Sequence, residues 1–221
     1  MLWDKLKAVL LHRDLAARPA DYIMPAACAA AGLVCGWLAP AGCFGAAPDE
    51  IGPELESYLA RLTAEGFVPG RELFAFLKWN GGLLLALMLS GLYAAGPAFI
   101  PALIFLRGFS FAFSDYYLAC CPGAVATALL AASILPQSLS LLVCLRGGRA
   151  ALDLCRARRQ GALTRRNGAL YSEYFASFLI CLPALLLAAF FAVASAAFSA
   201  EPGLRGGLRA GKRGGGPNCL Y

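Results

Sequence analysis

The sequence predicts an all-α protein, a polytopic transmembrane helical bundle of about five spans. Two observations support this. Hydrophobic residues make up 60% of the 221 residues and charged residues only 14%, whereas soluble domains average roughly 45–50% and about 25%. The charges are also clustered, so that long stretches contain few or none. Because lipid offers the backbone no hydrogen-bond partners, apolar runs of this length are expected to be helical.

Five segments are long enough to cross a hydrocarbon core, which needs roughly 20 apolar residues for about 30 Å. The predicted spans cover residues 22–47, 79–95, 98–120, 124–145 and 169–200. The second and third spans are separated by a tight break at Gly96-Pro97, and the third and fourth by one at Cys121-Pro122-Gly123.

Segments outside these spans complete the predicted organisation. Residues 1–21 form a cytoplasmic amphipathic lead, and residues 201–221 form a basic, Gly-rich tail that is expected to be disordered. A cleaved signal peptide is an alternative interpretation of the first span, but its apolar run is longer than a typical signal-peptide core.

The orientation follows from Lys and Arg, which stay preferentially on the cytoplasmic side of the membrane. Segment 146–168 has seven arginines against the single acid Asp153, so we place it inside. Five spans then put the N-terminus in the cytoplasm and the C-terminus outside a bacterial inner membrane. The five-span topology leaves a basic tail outside the membrane. A four-span or six-span topology, which would place this tail in the cytoplasm, therefore remains open. The tail carries Arg205, Arg209, Lys212 and Arg213.

Two segments beside the bundle are predicted to be helical. In the outer segment, residues 48–71, apolar residues recur at helical spacing and acids occupy the other face. It either covers the outer end of the bundle or docks an extracytoplasmic partner through Glu54, Glu56 and Glu65. The Arg-rich segment, 146–168, is expected to lie on the anionic lipid surface as an interfacial helix, or to act only as a topology signal. Because orientation already accounts for its arginines, nucleic-acid binding is not predicted.

The sequence offers little for catalysis. His12 is the only histidine, and the nine cysteines show no metal-binding spacing. Most of them fall in apolar spans, where Cys behaves as a small hydrophobe. A disulfide or a lipid contact stays open for the adjacent Cys120 and Cys121. We therefore expect no enzymatic activity, no metal and no cofactor.

Polar residues inside the spans form two stripes at helical spacing. Since charge is costly in hydrocarbon, such residues usually have a partner or a function. The stripes are expected to face into the bundle and hydrogen-bond to each other, because a translocation path would need more charges than one Arg and one Asp. The first stripe contains Arg107, Ser110, Ser114 and Asp115, and the second contains Ser133, Gln137 and Ser140.

Small residues provide two predicted packing faces. Gly32 and Gly36 form a G-x-x-x-G step in the first span, and Ala188 and Ala192 belong to a four-residue repeat in the last. Such faces bring membrane helices into close contact. The pattern leaves open whether they pack within the chain or in a homo-oligomer.

The continuous segment WNGGLLLALMLSGLYAAGPAFIPALIFLRGFSFAF, followed by SILPQSLSLL, has a familiar order of motifs. They are Asn80, Gly96-Pro97, Arg107-Gly108 and Pro136-Gln137. With the Arg-rich segment that follows, this pattern resembles the stage II sporulation protein M family over about residues 15 to 198. The basic, Gly-rich tail departs from it.

The resemblance implies a noncatalytic membrane anchor and scaffold. Its expected role is in engulfment during endospore formation, where it holds a peptidoglycan-degrading complex with stage II sporulation proteins D and P. The enzymatic chemistry would belong to these partners. The family also resembles the membrane domains of ABC-2-type exporters, so a permease-like transporter subunit is the alternative function.

Overall fold

A computed structural model describes residues 20–40, 68–120, 124–159 and 168–199. Every regular element in these ranges is helical. All five helices are long and apolar enough to cross a membrane. The predicted all-α bundle is therefore confirmed, and the chain is a multi-pass membrane protein. The helices are α1 (Ala20–Leu38), α2 (Pro69–Leu92), α3 (Gly96–Cys120), α4 (Ala124–Arg159) and α5 (Gly168–Ser199).

Helix α2 begins ten residues before the predicted start of its span. Pro69 is suited to the first turn, because it has no N–H to leave unpaired there and its φ angle is already helical. The predicted span starts at residue 79 because the apolar run was ended at Lys78, whereas the helix itself continues past this exposed charge. Residues 69–71 of the predicted outer segment thus belong to α2, and residues 48–67 lie outside the described part.

Helix α4 also extends beyond its predicted end at residue 145. It has 36 residues and is therefore about 54 Å long at 1.5 Å per residue. Ala151, Leu152 and Cys155 are buried in the bundle core. Residues 146–159 thus continue helix α4 instead of forming a separate interfacial helix, because their apolar side chains have protein to pack against. Residues 160–167 are not described.

The connection between α2 and α3 is a tight turn over residues 93–95. The predicted break at Gly96-Pro97 lies just after it, as the first two residues of α3. A Cβ on Gly96 would collide with the carbonyl oxygen of Ser90 and would lie 3.0 Å from Cys155 Sγ. Glycine is therefore required here by the close approach of α2 and α4.

Helices α1 and α3 pack with their backbones in close contact. A Cβ on Gly32 or Gly36 would collide with carbonyl oxygens of α3, and one on Gly108 would collide with the Ala29 carbonyl oxygen of α1. The G-x-x-x-G face is thus used within the chain. The other predicted packing face is also partly internal, because Ala188 is fully buried and Ala192 is half-buried.

The contacts between helices define one end of the bundle, which we call the basic end. Arg149 of α4 lies 3.6 Å from Asp21 at the start of α1. Near the start of α5, the Tyr174 hydroxyl donates to the Met88 carbonyl oxygen at 2.5 Å, close to the end of α2. The chain therefore runs up and down through the bundle. The start of α1, the α2–α3 turn, the end of α4 and the start of α5 share the basic end.

Candidate functional site: a buried polar network

The centre of the bundle contains a buried arginine. Arg107 follows Gly96 by eleven residues on α3, which is roughly 16 Å along the helix axis. This places it near the middle of a hydrocarbon core about 30 Å thick. Its side chain is only 3% exposed, so its donors must be satisfied by protein groups.

Helix α4 supplies acceptors for this guanidinium. Arg107 Nε donates to Ser140 Oγ at 3.2 Å. Its Nη2 donates to the Gln137 side-chain oxygen and, at 3.5 Å, to the Gln137 carbonyl oxygen. Among the described residues, no carboxylate forms an ion pair with Arg107. Its charge is therefore held by neutral oxygen atoms.

Helix α2 extends the same network. Ser140 is fully buried, and its hydroxyl donates to Asn80 Oδ1 at 2.5 Å. The Asn80 amide in turn donates to the Phe76 carbonyl oxygen at 3.0 Å. Ser140 accepts from α3 and donates to α2, so one hydroxyl joins three helices. We call Asn80, Arg107, Gln137 and Ser140 the central network.

A second contact between the predicted stripes lies about two turns further along α3. Ser133 Oγ donates to Asp115 Oδ1 at 3.2 Å, and Asp115 is only 7% exposed. This bond again connects α3 with α4. The two predicted stripes therefore meet at two levels of the bundle.

Ser110 and Ser114 behave differently from the rest of their stripe. Ser110 donates to the Arg107 carbonyl oxygen at 3.2 Å, and Ser114 donates to the carbonyl oxygens of Ser110 and Phe111, each at 2.9 Å. Such bonds satisfy a hydroxyl within its own helix. The structure does not bring these two serines into the central network.

The basic end carries another polar cluster, centred on Arg149. Its guanidinium lies 3.6 Å from both Asp21 and Asp153. It donates to the Tyr22 hydroxyl at 3.0 Å, and its central carbon lies 4.7 Å from the centre of the Tyr22 ring. Nearby, Arg158 Nη1 donates to the Leu92 carbonyl oxygen at 2.5 Å. These contacts tie α4 to α1 and α2.

Comparisons with known proteins assign no family. No family model matches the chain, and no curated protein or solved structure matches it. The resemblance to the stage II sporulation protein M family therefore rests on the sequence motifs alone.

The hydrogen-bond geometry of the central network is suited to joining helices. Each of its side chains hydrogen-bonds to another member or to a nearby backbone carbonyl. Across residues 20–40, 68–120, 124–159 and 168–199, no group of three or more His, Cys, Asp or Glu residues is arranged to hold a metal ion. The predicted docking residues Glu54, Glu56 and Glu65, like His12 and Cys121, lie outside those ranges.

Asn80 is the member that sequence reasoning did not predict as a site residue. It entered only as one motif of the family resemblance, without a partner. A signal was present, since Asn80 is the only asparagine in the predicted spans. An amide in an apolar run needs a hydrogen-bond partner. The partner itself could not be identified, because Ser140 is sixty residues away in sequence.

Proposed function

We propose that this protein is a noncatalytic membrane anchor and scaffold for a peptidoglycan-degrading complex that acts in engulfment during endospore formation. The resemblance of its motifs to the stage II sporulation protein M family suggests this role. The observation that carries the proposal is the central network, in which the polar groups of three helices bind one another. Such an arrangement favours a fixed frame over a polar path through the membrane.

Bonds between helices hold the bundle together at two depths, and this suits a protein that positions partner proteins. The central network joins α2, α3 and α4 near the middle of the bundle. At the basic end, Arg149 joins α1 to α4, and Arg158 joins α4 to α2. Relative movement of these helices would break bonds at both levels. A scaffold gains from this rigidity, because it holds its partners at constant distances.

The proposed partners are cell-wall proteins outside the cell membrane, with stage II sporulation proteins D and P as the leading candidates. In the proposed topology the N-terminus is cytoplasmic and the outer segment, residues 48–71, is extracytoplasmic. Glu54, Glu56 and Glu65 are the proposed docking residues. Charged groups at an interface favour complementary partners and slow the encounter of wrong ones.

A pull-down from detergent extract tests the docking surface. The tagged chain is co-expressed with candidate cell-wall partners, and charge reversal at Glu54, Glu56 and Glu65 is expected to release them. Glu201→Lys is the control, because it reverses an acid outside the outer segment. If the triple variant keeps every cell-wall partner that the parent binds, the docking assignment is wrong.

The proposed side of the C-terminus has its own test. In intact cells, a membrane-impermeant thiol reagent is expected to label Cys219, and a Cys219→Ser variant gives the background from the other cysteines. Protection of Cys219 until the cells are opened would contradict the five-span topology with an external tail.

A permease-like subunit of an ABC-2-type transporter is the second candidate function. The continuous extension of α4 to Arg159 favours it, since a rigid helix that passes the membrane boundary offers an ATPase a coupling surface. Arg156 on this extension is 56% exposed. Co-purification of an ATP-binding-cassette ATPase, or its gene beside this one, would favour the transporter. A neighbouring sporulation gene would favour the scaffold.

A further inference from the structure

The last turn of α4 presents a group of exposed arginines at the basic end. Arg156, Arg158 and Arg159 lie in this turn, and each is exposed. The basic stretch of α4 contains five arginines and one acid, Asp153. That carboxylate is shared, since it lies 3.6 Å from Arg149 and 3.7 Å from Arg156. The end of the helix therefore carries more positive charge than its own acid can neutralise.

The α2–α3 turn shows the depth of these arginines. Because the turn joins two membrane-spanning helices, it marks the boundary of the hydrocarbon core at the basic end. Cys155 lies level with it, as its Sγ is 3.6 Å from the Gly91 carbonyl oxygen and a Cβ on Gly96 would lie 3.0 Å away. The three arginines come immediately after Cys155 in the helix. Their side chains therefore lie at the depth of lipid headgroups.

Exposed tyrosines mark the same boundary. Tyr93 in the α2–α3 turn is 67% exposed, and Tyr171 near the start of α5 is 38% exposed. Tyrosine is enriched at membrane–water interfaces, because its ring prefers an apolar environment and its hydroxyl a wet one. Both tyrosines belong to the basic end, and their exposed rings are suited to the upper parts of lipid chains.

Arg158 is held in place before any ligand arrives. Its bond to the Leu92 carbonyl oxygen fixes the guanidinium at the carboxyl end of α2. A guanidinium has five N–H donors in a planar fork, so this bond leaves donors for another acceptor. Arginine matches phosphate geometry well, because two parallel N–H groups can contact two oxygens of one phosphate.

We propose that Arg158 and Arg159 bind the phosphate group of an anionic phospholipid beside the α2–α3 turn. Arg156 points to the other side of α4 from Arg158, because residues two apart on a helix do not face each other, and it adds positive charge that attracts anionic lipids. The depth of the arginines and the exposed ring of Tyr93 favour a lipid over a soluble phosphate compound. A zwitterionic lipid also carries a phosphate, but its own amine cancels the charge. The site is therefore selective for anionic lipids such as phosphatidylglycerol or cardiolipin.

Native mass spectrometry of the full chain tests this site. The protein in detergent is mixed with phosphatidylglycerol and phosphatidylethanolamine of matched chains, and the lipids retained by each variant are counted. The parent is expected to retain phosphatidylglycerol preferentially. In R156Q/R158Q/R159Q, the affinity for phosphatidylglycerol is expected to fall about fivefold for each arginine removed. Retention of phosphatidylethanolamine is expected to stay unchanged.

Two matched variants separate a built site from diffuse charge. Lys78→Gln removes an exposed cation of α2 that lies fourteen residues before Leu92, and it is expected to leave the preference intact. Arg158→Lys keeps the charge but loses the fork, and it is expected to weaken phosphatidylglycerol binding by itself. If the triple variant does not elute as a single species, the single variants R156Q and R159Q replace it.

Three results would overturn the proposal. The first is unchanged retention of phosphatidylglycerol in the folded arginine variants. The second is an equal loss in Lys78→Gln, which would indicate nonspecific attraction. The third is displacement of the lipid by millimolar inorganic phosphate, which would identify a soluble phosphate as the ligand.

Discussion

Arg107 and Arg149 show two ways in which this bundle accommodates a guanidinium. Both are well buried, with Arg107 at 3% exposure and the Arg149 side chain at 13%. Arg107 binds the neutral side chains Gln137 and Ser140, whereas Arg149 lies between the carboxylates of Asp21 and Asp153. The centre therefore relies on hydrogen-bond geometry, while the basic end relies on charge.

The difference follows from the distance to water. At the basic end, carboxylates that are about one-third exposed can remain hydrated while they balance Arg149. At the centre, each buried donor needs a protein acceptor, because an unpaired polar group in hydrocarbon costs several kcal/mol. Loss of a partner should therefore cost more at the centre. Added salt should weaken only the basic end, because it screens exposed charges and leaves buried bonds largely unaffected.

The largest effect is expected from Gln137→Leu. This change removes the side-chain acceptor of a buried cation, and hydrogen bonds to charged groups contribute about 1.5–3 kcal/mol. We expect a loss of about 2 kcal/mol in unfolding free energy, measured by SDS titration of the protein in mild detergent. Ser177→Ala removes a hydroxyl that donates to the Glu173 carbonyl oxygen within α5, and it should have little effect. Equal losses of unfolding free energy in the two variants would contradict a special role for the central network.

A compensating change at Arg107 tests whether Arg107 and Gln137 stabilise the bundle as a pair. Replacing both members of a buried polar pair by apolar residues is often neutral or stabilising, whereas removing one leaves the other unpaired. Gln137→Leu combined with Arg107→Met should therefore recover about 1 kcal/mol relative to Gln137→Leu alone, in the same titration. Additive losses in the double variant would show that the two residues do not act as a pair.

Ser140→Ala is expected to have an intermediate effect. Its hydroxyl accepts from Arg107 and donates to Asn80, while two Arg107 contacts to Gln137 remain. The expected loss is about 1 kcal/mol, near the range found for polar contacts between membrane helices. Ser110→Ala serves as the control, because that hydroxyl bonds only within α3. A Ser110→Ala loss as large as that of Ser140→Ala would contradict the three-helix connection.

The smallest effect is expected from Asp21→Asn at the basic end. Partly exposed ion pairs typically contribute 0.2–1 kcal/mol, and Asp153 and Tyr22 continue to contact Arg149. We expect a loss of about 0.5 kcal/mol that shrinks between low and high salt. A loss that stays constant across the salt series would mean that Asp21 acts by hydrogen bonding or packing instead of charge.

Much of the helical arrangement could be predicted from the sequence, because apolar length and charge clustering are properties of neighbouring residues. The third and fifth spans agree with α3 and α5 to within two residues at each end. The helices extend beyond the predicted spans where charge was taken as a boundary. Lys78 does not interrupt α2 because it is exposed on the helix surface, and Arg146 and Arg149 do not end α4 because the residues beyond them pack into the core.

The sequence by itself determined that this chain forms membrane-spanning helices with polar stripes on two of them. Hydrophobicity and helical periodicity act locally, so these features can be read from adjacent residues. Only the tertiary structure decided which stripe members meet, that Asn80 joins them, and that Gly32 and Gly36 face α3. These outcomes depend on how helices distant in sequence are rotated and aligned against one another, and that alignment is fixed by packing across the whole bundle.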